Sequence, residues 1–201
     1  MPFSQGKKNK YFIDAGLLNS ALIKTKLLPM AYYDIDSKQI VVSAEKIVYL
    51  KDFFNEIHDF TEKYNLLVKM ISDISKQLFI FNDNNIYLIG LDFNDIIVID
   101  NSIFVIHNYK ICNKGNKLLV PFKKPLFCSP SVLEINKLPS TISATDAYYS
   151  LALLVIYYLQ SKSNNETINI SNNYNSISTI KGTKMYYFLE RAINDGILLF
   201  I

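Results

Sequence analysis

Two apolar runs on either side of a polar turn form the clearest pattern in the chain. Residues 96–99 and 103–106 are rich in β-branched side chains, and Asp100-Asn101-Ser102 separates them. Asp and Asn tolerate the positive φ angles that tight hairpin turns need. The pattern therefore predicts two short strands joined by a tight turn.

A long helical period precedes this hairpin. Over residues 66–81 the apolar positions recur at steps of three and four, which predicts an amphipathic helix with one buried face. These positions are Leu67, Met70, Ile71, Ile74 and Leu78. Between this helix and the hairpin, residues 90–95 (Gly-Leu-Asp-Phe-Asn-Asp) are predicted to form a polar loop.

The patterns at the N-terminal end of the chain are shorter. Residues 1–10 are expected to be disordered. The apolar spacing over residues 11–28 predicts a helix, which Pro29 would end. Residues 31–35 and 39–42 then predict a second hairpin, because three polar residues separate them.

A further helix is predicted between this second hairpin and residue 66. Ser43 is a suitable N-cap for a helix over residues 44–64. The polar residues 55–59 in its middle favour a break in that helix.

The segment that follows the central hairpin shows no regular period. Residues 110–127 contain Gly115, Pro121, Pro125 and five lysines. Glycine and proline interrupt regular structure, so an irregular surface segment is predicted here.

The C-terminal part of the chain predicts two helices around an insertion. Ser143-Ala-Thr-Asp146 resembles a capping box and opens a helix whose buried body is residues 147–159. Residues 160–180 are rich in Ser and Asn and predict a flexible insertion. Thr183 is the predicted cap of the last helix, which Gly196 would end, and the apolar residues 197–201 would dock on the rest of the chain.

Composition favours one globular domain. The chain has 201 residues, of which 50% are hydrophobic and 19% charged. A net charge of +3 is too small to indicate a nucleic acid or an anionic membrane as partner. The abundance of Asn, Ile, Lys and Tyr is typical of an AT-rich genome, such as that of a large DNA virus.

A cytoplasmic location is expected from three features. The longest apolar stretch, residues 147–159, is too short to cross a bilayer. No apolar signal region precedes Asp14. Cys112 and Cys128 are the only cysteines, and two thiols far apart in sequence favour reduced side chains over a disulfide.

Four fragments follow one another in a familiar order. They are Leu88 to Ile97 around the polar loop, His107-Asn-Tyr109 after the hairpin, Phe127-Cys-Ser-Pro-Ser131, and Tyr149-Ser-Leu-Ala152. Their order and spacing resemble the catalytic loop, D-F-G, A-P-E and D-x-W-S-L-G motifs of protein kinases. From about Ile40 to its end, the chain resembles a degenerate, pseudokinase-type member of the protein-kinase-like superfamily.

This resemblance implies a fold and a division of the chain. The fold class would be α+β, consisting mostly of the helical large lobe with a reduced β small lobe. The small lobe would cover about residues 11–50 and the large lobe about residues 51–201, within one domain.

The residues that such an enzyme uses are not matched. By the resemblance, Gly90 stands in place of the catalytic Asp, Asp95 in place of the metal-binding Asn, and His107 in place of the Asp that binds magnesium. No glycine-rich loop precedes the small-lobe strands, and neither Lys24 nor Lys26 lies in a strand-like run. We therefore assign no catalytic, cofactor-binding or metal-binding residue.

The segment that would end the activation loop also departs from the motif. Ser131 stands where the A-P-E glutamate would be, and residues 194–200 contain no arginine to pair with one. Both halves of a buried ion pair are thus missing by the resemblance.

Other chemistry receives little support from the sequence. Asp92 and Asp95 would have to serve as base and metal ligand in a divergent active kinase, but a shift of two residues is too large for in-line transfer. His107 is expected to be a hydrogen-bonded structural residue. His58 and Glu62 share one helical face, although two ligands without a third are a weak metal signal.

The sequence therefore favours a catalytically inactive kinase-like domain that acts as a scaffold. A protein partner would bind the basic segment 110–124 or the insertion after Gln160, and no cofactor, nucleic acid or membrane is expected. One alternative is a divergent active kinase that uses ATP and magnesium to phosphorylate Ser or Thr. A second alternative is a helical interaction protein unrelated to kinases.

Overall fold

The chain combines helices with small antiparallel sheets, in a computed structural model that describes residues 3–5, 9–28, 31–160 and 177–194. The strands are β1 (Phe3–Gln5), β2 (Lys10–Ile13), β3 (Tyr32–Asp34), β4 (Gln39–Ser43), β5 (Ile47–Tyr49), β6 (Ile86–Leu88), β7 (Ile96–Ile99), β8 (Ile103–Ile106), β9 (Cys112–Lys114), β10 (Lys117–Leu118) and β11 (Ser140–Thr141). The helices are α1 (Asn19–Lys24), α2 (Leu50–Asn55), α3 (Phe60–Asp83), α4 (Pro130–Leu133), α5 (Ala144–Gln160) and α6 (Lys184–Asn194). The fold class is α+β, as predicted at that level.

The N-terminal part forms a four-stranded antiparallel sheet in the order β1-β2-β4-β3. The predicted hairpin over residues 31–35 and 39–42 is confirmed as β3 and β4, with Tyr32 opposite Val41. The connection between β2 and β3 contains α1, which packs against α3.

Two expectations for the first 28 residues are wrong. Residues 11–28 contain the end of strand β2 and the short helix α1. Along β2, Tyr11 and Ile13 are buried while the residues between and beside them are more exposed. That alternation suits a strand that pairs with β4, and the pairing is a distant contact that a local helical period does not reveal. Residues 1–10 are not all disordered, because Phe3–Gln5 pairs with β2 and the Phe3 ring lies 5.6 Å from the Tyr49 ring.

The predicted helix over residues 44–64 is wrong at its start and correct at its break. Residues 47–49 form β5, which pairs with β7 with Val48 opposite Val98. The chain then forms α2, and it leaves helical geometry before α3 begins. Asp59 is the N-cap of α3, since its side chain accepts a hydrogen bond of 2.7 Å from the Glu62 N–H.

The central hairpin and the helix before it are confirmed. β7 pairs with β8 with Ile96 opposite Ile106, and Asp100 and Asn101 have φ angles of 49° and 56°. The Asp100 carboxylate also accepts hydrogen bonds from the N–H groups of Glu45 and Lys46, at 2.7 and 3.0 Å. The turn therefore fixes the chain just before β5 as well as the hairpin itself.

Two buried polar residues of α3 attach the outer strand of this sheet to the helix. The sheet order is β5-β7-β8, so one edge of β8 lacks a neighbouring strand. The Gln77 side chain donates to the Phe104 carbonyl at 2.7 Å and accepts from the Ile106 N–H at 2.8 Å. Asp73 accepts from the Phe104 N–H at 3.3 Å and from Lys69. These side chains satisfy backbone groups that would otherwise be buried without partners.

Helix α5 passes through the main hydrophobic core. Its Leu151, Ala152, Leu154 and Val155 are completely buried, and it packs against α3 and α6. The predicted starts of α5 and α6 are confirmed. The Ser143 N–H donates to Asp146 at 2.7 Å, and the Tyr186 N–H donates to Thr183 Oγ1 at 3.2 Å.

Several predictions fall wholly or largely outside the described residues. They concern the helix end at Pro29, the insertion 160–180, of which residues 161–176 are not described, Gly196, and the apolar residues 197–201. Within the residues that are described, no helix is long and apolar enough to span a membrane.

Candidate functional site

Gly90 lies against the chain at residues 125–128, with no room for a side chain. A Cβ atom added to Gly90 would lie 2.7 Å from the carbonyl oxygen of Phe127 and 3.0 Å from Cβ of Cys128. Leu91 and Phe127 exchange two backbone hydrogen bonds of 2.8 and 2.9 Å, which hold the two segments at this distance. Position 90 therefore cannot carry a carboxylate unless residues 125–128 move.

The two aspartates of the loop hold the loop itself together. The Asp92 side chain accepts hydrogen bonds from the N–H of Asp95 and, at 2.6 Å, from that of Leu126. In return, Asp95 Oδ2 accepts from the Asp92 N–H at 2.5 Å. Such a reciprocal pair is a capping box, and here it encloses one 3-10 turn at Phe93–Asp95.

Asp95 is buried, and its charge is poorly solvated. Its side chain is only 3% exposed, and Oδ1 accepts a hydrogen bond of 2.6 Å from Asn108 Nδ2. Burial raises the pKa of Asp95 from 3.8 to about 6, although the hydrogen bonds from Asn108 and from the Asp92 N–H oppose the shift. Both carboxylate oxygens thus have partners from the protein.

His107 lies beside this loop as a buried, neutral imidazole. Its Nε2 donates to the Asn94 carbonyl at 2.9 Å, which fixes the proton on that nitrogen because a carbonyl only accepts. Burial lowers the pKa of His107, so the ring is uncharged at neutral pH. Its Nδ1 has no hydrogen-bond partner among the described residues. The expected structural histidine is found.

The other residues considered for chemistry are spread over the surface. His58 and Glu62 are both exposed. The described part of the chain contains no group of three or more His, Cys, Asp or Glu side chains that could hold a metal ion. Lys24 and Lys26 are exposed too, and Lys24 Nζ donates to Asn84 Oδ1 at 2.7 Å.

The face of the loop region toward the N-terminal sheet is closed by Tyr109. A Cβ on Gly16 would lie 2.6 Å from Cδ1 of the Tyr109 ring, and Gly16 has a φ of 49°. The close approach and the left-handed backbone both require glycine at this position. Tyr109 thus contacts the turn that precedes α1.

Asp146 connects residues 129–131 to the start of α5. Ser129 and Ser131 each donate a hydroxyl hydrogen bond of 2.5 Å to Asp146 Oδ1. Ser129 also caps α4, where its Oγ accepts from the Val132 N–H at 3.3 Å. Ser131 is the residue that stands in place of a glutamate in the kinase resemblance. A network of hydroxyls and one carboxylate therefore fixes this end of the segment.

The two cysteines are free, as expected. Burial raises the pKa of both the Cys112 and the Cys128 thiols. A thiol with a raised pKa is a poor nucleophile and a poor metal ligand, because both roles need the thiolate. Burial thus disfavours the thiolate form of both cysteines.

A pocket of ≈ 430 Å³ opens between the loop and residues 110–124, which we call the basic segment. Its apolar wall includes Ile89, Leu118 and Phe122, and Lys110 and Lys123 line it as well. The basic segment is more regular than predicted, because β9 pairs with β6 and β10 pairs with β11. The pocket is thus bordered by ordered backbone on both sides.

Sequence reasoning missed three polar residues of this region: Asp73, Gln77 and Asn108. A signal existed for the first two, because Asp73 and Gln77 are four residues apart and lie among the apolar positions that mark the buried face of α3. A polar pair in such a face indicates a buried hydrogen-bond network. Asn108 had no comparable signal, because its contact with Asp95 depends on the hairpin between them.

In comparison with known proteins, no family model and no curated protein matches the chain.

Proposed function

We propose that the chain is a degenerate protein-kinase-like domain that does not transfer phosphate and acts as a protein-binding scaffold. The observation that carries this proposal is the contact of Gly90 with residues 125–128. At the position that the resemblance assigns to the catalytic base, the chain has no side chain and no space for one.

The neighbouring residues do not supply the missing groups. Phosphoryl transfer depends on oxygen ligands that hold magnesium at fixed points and on a base that orients the attacking hydroxyl. Asp92 is held by the N–H groups of Asp95 and Leu126, so moving it into the role of a base would break the loop. His107 offers a neutral nitrogen where a magnesium-binding carboxylate is required. These features disfavour the alternative of a divergent active kinase.

The arrangement of the elements supports the kinase-like part of the proposal. Helix α3 leads through the loop into the β7–β8 hairpin, and it packs against both β8 and α5. The Phe54 ring connects the hairpin to α5, with ring centroids 6.3 Å from Phe104 and 4.4 Å from Tyr158. The hairpin and α5 thus share contacts with α3 and with Phe54. The small sheets among the described residues disfavour the alternative of an unrelated helical protein.

The scaffold role rests on the exposed surface beside the loop. The basic segment exposes Leu119 and Val120 by 67% and 63%, and Val120 also lines the pocket. Exposed apolar residues beside lysines provide a binding surface without any catalytic requirement.

Thermal unfolding with and without ATP and magnesium tests the proposal. A ligand at ~100 times its Kd stabilises a fold by about 2.7 kcal/mol, which raises the Tm of a domain of this size by several degrees. We expect no such rise, and no transfer of labelled phosphate to a protein substrate. Magnesium alone and ATP with a chelator serve as controls. A magnesium-dependent rise that Asp92→Ala or Asp95→Asn abolishes would contradict the proposal and establish the active alternative.

A further inference from the structure

The lysines of the chain are unevenly distributed. Between Asp100 and Glu134 the chain has five lysines and neither Asp nor Glu. The whole chain carries +3, so the remainder carries −2 once these five positive charges are removed. All five lysines are exposed; they are Lys110, Lys114, Lys117, Lys123 and Lys124. A local excess of positive charge attracts acidic partners, even though the net charge of the chain is small.

The pocket beside the basic segment combines this charge with apolar walls. Lys110 and Lys123 line the pocket together with apolar residues such as Ile111, Leu118 and Val120. Asp92 also lines it, but its carboxylate accepts hydrogen bonds from two backbone N–H groups. Neither Lys110 nor Lys123 forms an ion pair with Asp92.

The pocket is held in shape by contacts on several sides. The Asn113 side chain donates to the carbonyls of Gly115 and Lys117 at 2.8 and 3.0 Å, which closes the turn between β9 and β10. Beneath the segment lies a small apolar cluster whose members are Ile89, Leu118, Cys128, Val132 and Ile142. A site that is ordered before binding loses little conformational entropy when a partner arrives.

We propose that this pocket binds an extended, acidic segment of another protein. One apolar side chain of the segment enters between Ile89, Leu118 and Phe122, and carboxylates on either side of it pair with Lys110 and Lys123. Leu119 and Val120 extend the apolar contact beyond the pocket. The volume suits one or two side chains of a peptide. The inference rests on the proposed scaffold function and identifies its binding surface and the chemistry of its partner.

Synthetic peptides labelled with a fluorophore test the inference by fluorescence anisotropy. The probe is a peptide of twelve residues with Glu and Asp flanking a central Leu-Phe pair. One comparison peptide has Lys in place of every acidic residue, and a second has Ser-Ser in place of Leu-Phe. We expect the probe to bind at least about tenfold more tightly than either, and its affinity to fall as the ionic strength rises from low salt to ~0.15 M.

Two variants of matched charge locate the site. Lys110→Glu with Lys123→Glu should weaken binding of the probe by about tenfold or more, whereas Lys181→Glu with Lys184→Glu, on an exposed turn and helix start elsewhere, should change it little. A Tm close to that of the original chain confirms that each variant is folded. Equal binding of the Lys peptide, undiminished binding of the Ser-Ser peptide, or full binding by the Lys110/Lys123 variant would overturn the inference.

Self-association is a separate outcome. Sedimentation of the chain alone that reveals a dimer, lost in the Lys110/Lys123 variant, would show that a second copy occupies the surface and would overturn the inference. If the probe does not bind and ATP does not shift the Tm, the inference about this surface is wrong, whereas the proposed scaffold function still stands. A magnesium-dependent rise in Tm with ATP would contradict the proposed scaffold function itself.

Discussion

The carbonyl oxygen of Phe127 lies 2.7 Å from the point that a Cβ atom on Gly90 would occupy. The pair of backbone hydrogen bonds between Leu91 and Phe127 makes this a fixed contact and not an accident of side-chain packing. Because the obstacle is a backbone atom, a rotamer change cannot remove it. Any side chain at position 90 must displace residues 125–128.

Gly90→Ala is therefore expected to destabilise the chain. Gly90 does not have a left-handed backbone, so an alanine without a clash would stabilise the fold by about 0.4–1 kcal/mol. With the clash, we expect the free energy of unfolding to fall by about 1–3 kcal/mol. Urea unfolding measures the difference, and its sign is decisive: an increase in stability would contradict the contact.

Gly90→Asp is a second test of the contact between position 90 and residues 125–128. It restores the residue type that a kinase catalytic loop uses, but we expect a further loss of stability and no phosphate transfer, because the carboxylate meets residues 125–128. Labelled-ATP transfer to a protein substrate measures this. Transfer by the variant would show that the segment moves aside.

The elements that sequence reasoning predicted correctly are the ones that local patterns determine. The β7–β8 hairpin follows from β-branched runs around Asp100 and Asn101, and α3 follows from its apolar face. The two places where a strand replaces a predicted helix are β2 and β5, whose partners β4 and β7 are distant in sequence. A strand of three or four residues has too short a pattern to compete with a helical period unless its partner is known.

The sequence predicts which kinase residues are missing from the site, but it does not predict the contacts within the site. The absence of a carboxylate at position 90 was evident from the sequence, whereas the capping roles of Asp92 and Asp95 emerge from the structure. The contact between Gly90 and Phe127 was not evident, because it joins residues 37 positions apart, and the bridge at Leu91 and Phe127 joins residues 36 positions apart. Such contacts depend on the complete fold.

Asp95 should make stability depend on pH. Its pKa is about 6 in the folded chain and 3.8 ordinarily, so between these values the folded state holds a proton that the unfolded state has lost. Stability therefore falls as pH rises through this range, by about 3 kcal/mol if the full shift is expressed, at about 1.4 kcal/mol for each pKa unit.

The measurement compares the original chain with Asp95→Asn by urea unfolding at several pH values between 4 and 7. Because Asn does not titrate, the original chain should lose stability relative to the Asp95→Asn variant as pH rises, by up to about 3 kcal/mol. Asp83→Asn, at an exposed carboxylate in the last turn of α3, controls for general charge effects. A difference that stays constant with pH would show that Asp95 is ionised throughout.

Gln77→Ala should weaken the attachment of β8 to α3. The change leaves the Phe104 carbonyl and the Ile106 N–H buried without partners, which should cost about 2–4 kcal/mol. Lys76→Ala, at the exposed neighbouring position, should alter stability by less than about 0.5 kcal/mol. Hydrogen exchange of the Ile106 amide should become faster only in the Gln77 variant. Unchanged protection of this amide would mean that another group bonds it.

Asp146→Ala should release residues 129–131 from the start of α5. The Ser129 and Ser131 hydroxyls and the Ser143 N–H would lose their shared acceptor, and we expect stability to fall by about 2–4 kcal/mol. Trypsin should then cleave after Lys123 faster than in the original chain, because residues 124–131 are no longer fixed at their far end. Glu134→Ala removes an exposed carboxylate close by in sequence and should leave the cleavage rate unchanged. If both variants are cleaved at the original rate, the contacts of residues 125–128 with Gly90 and Leu91 suffice to hold the segment, and the hydroxyl network contributes little to its order.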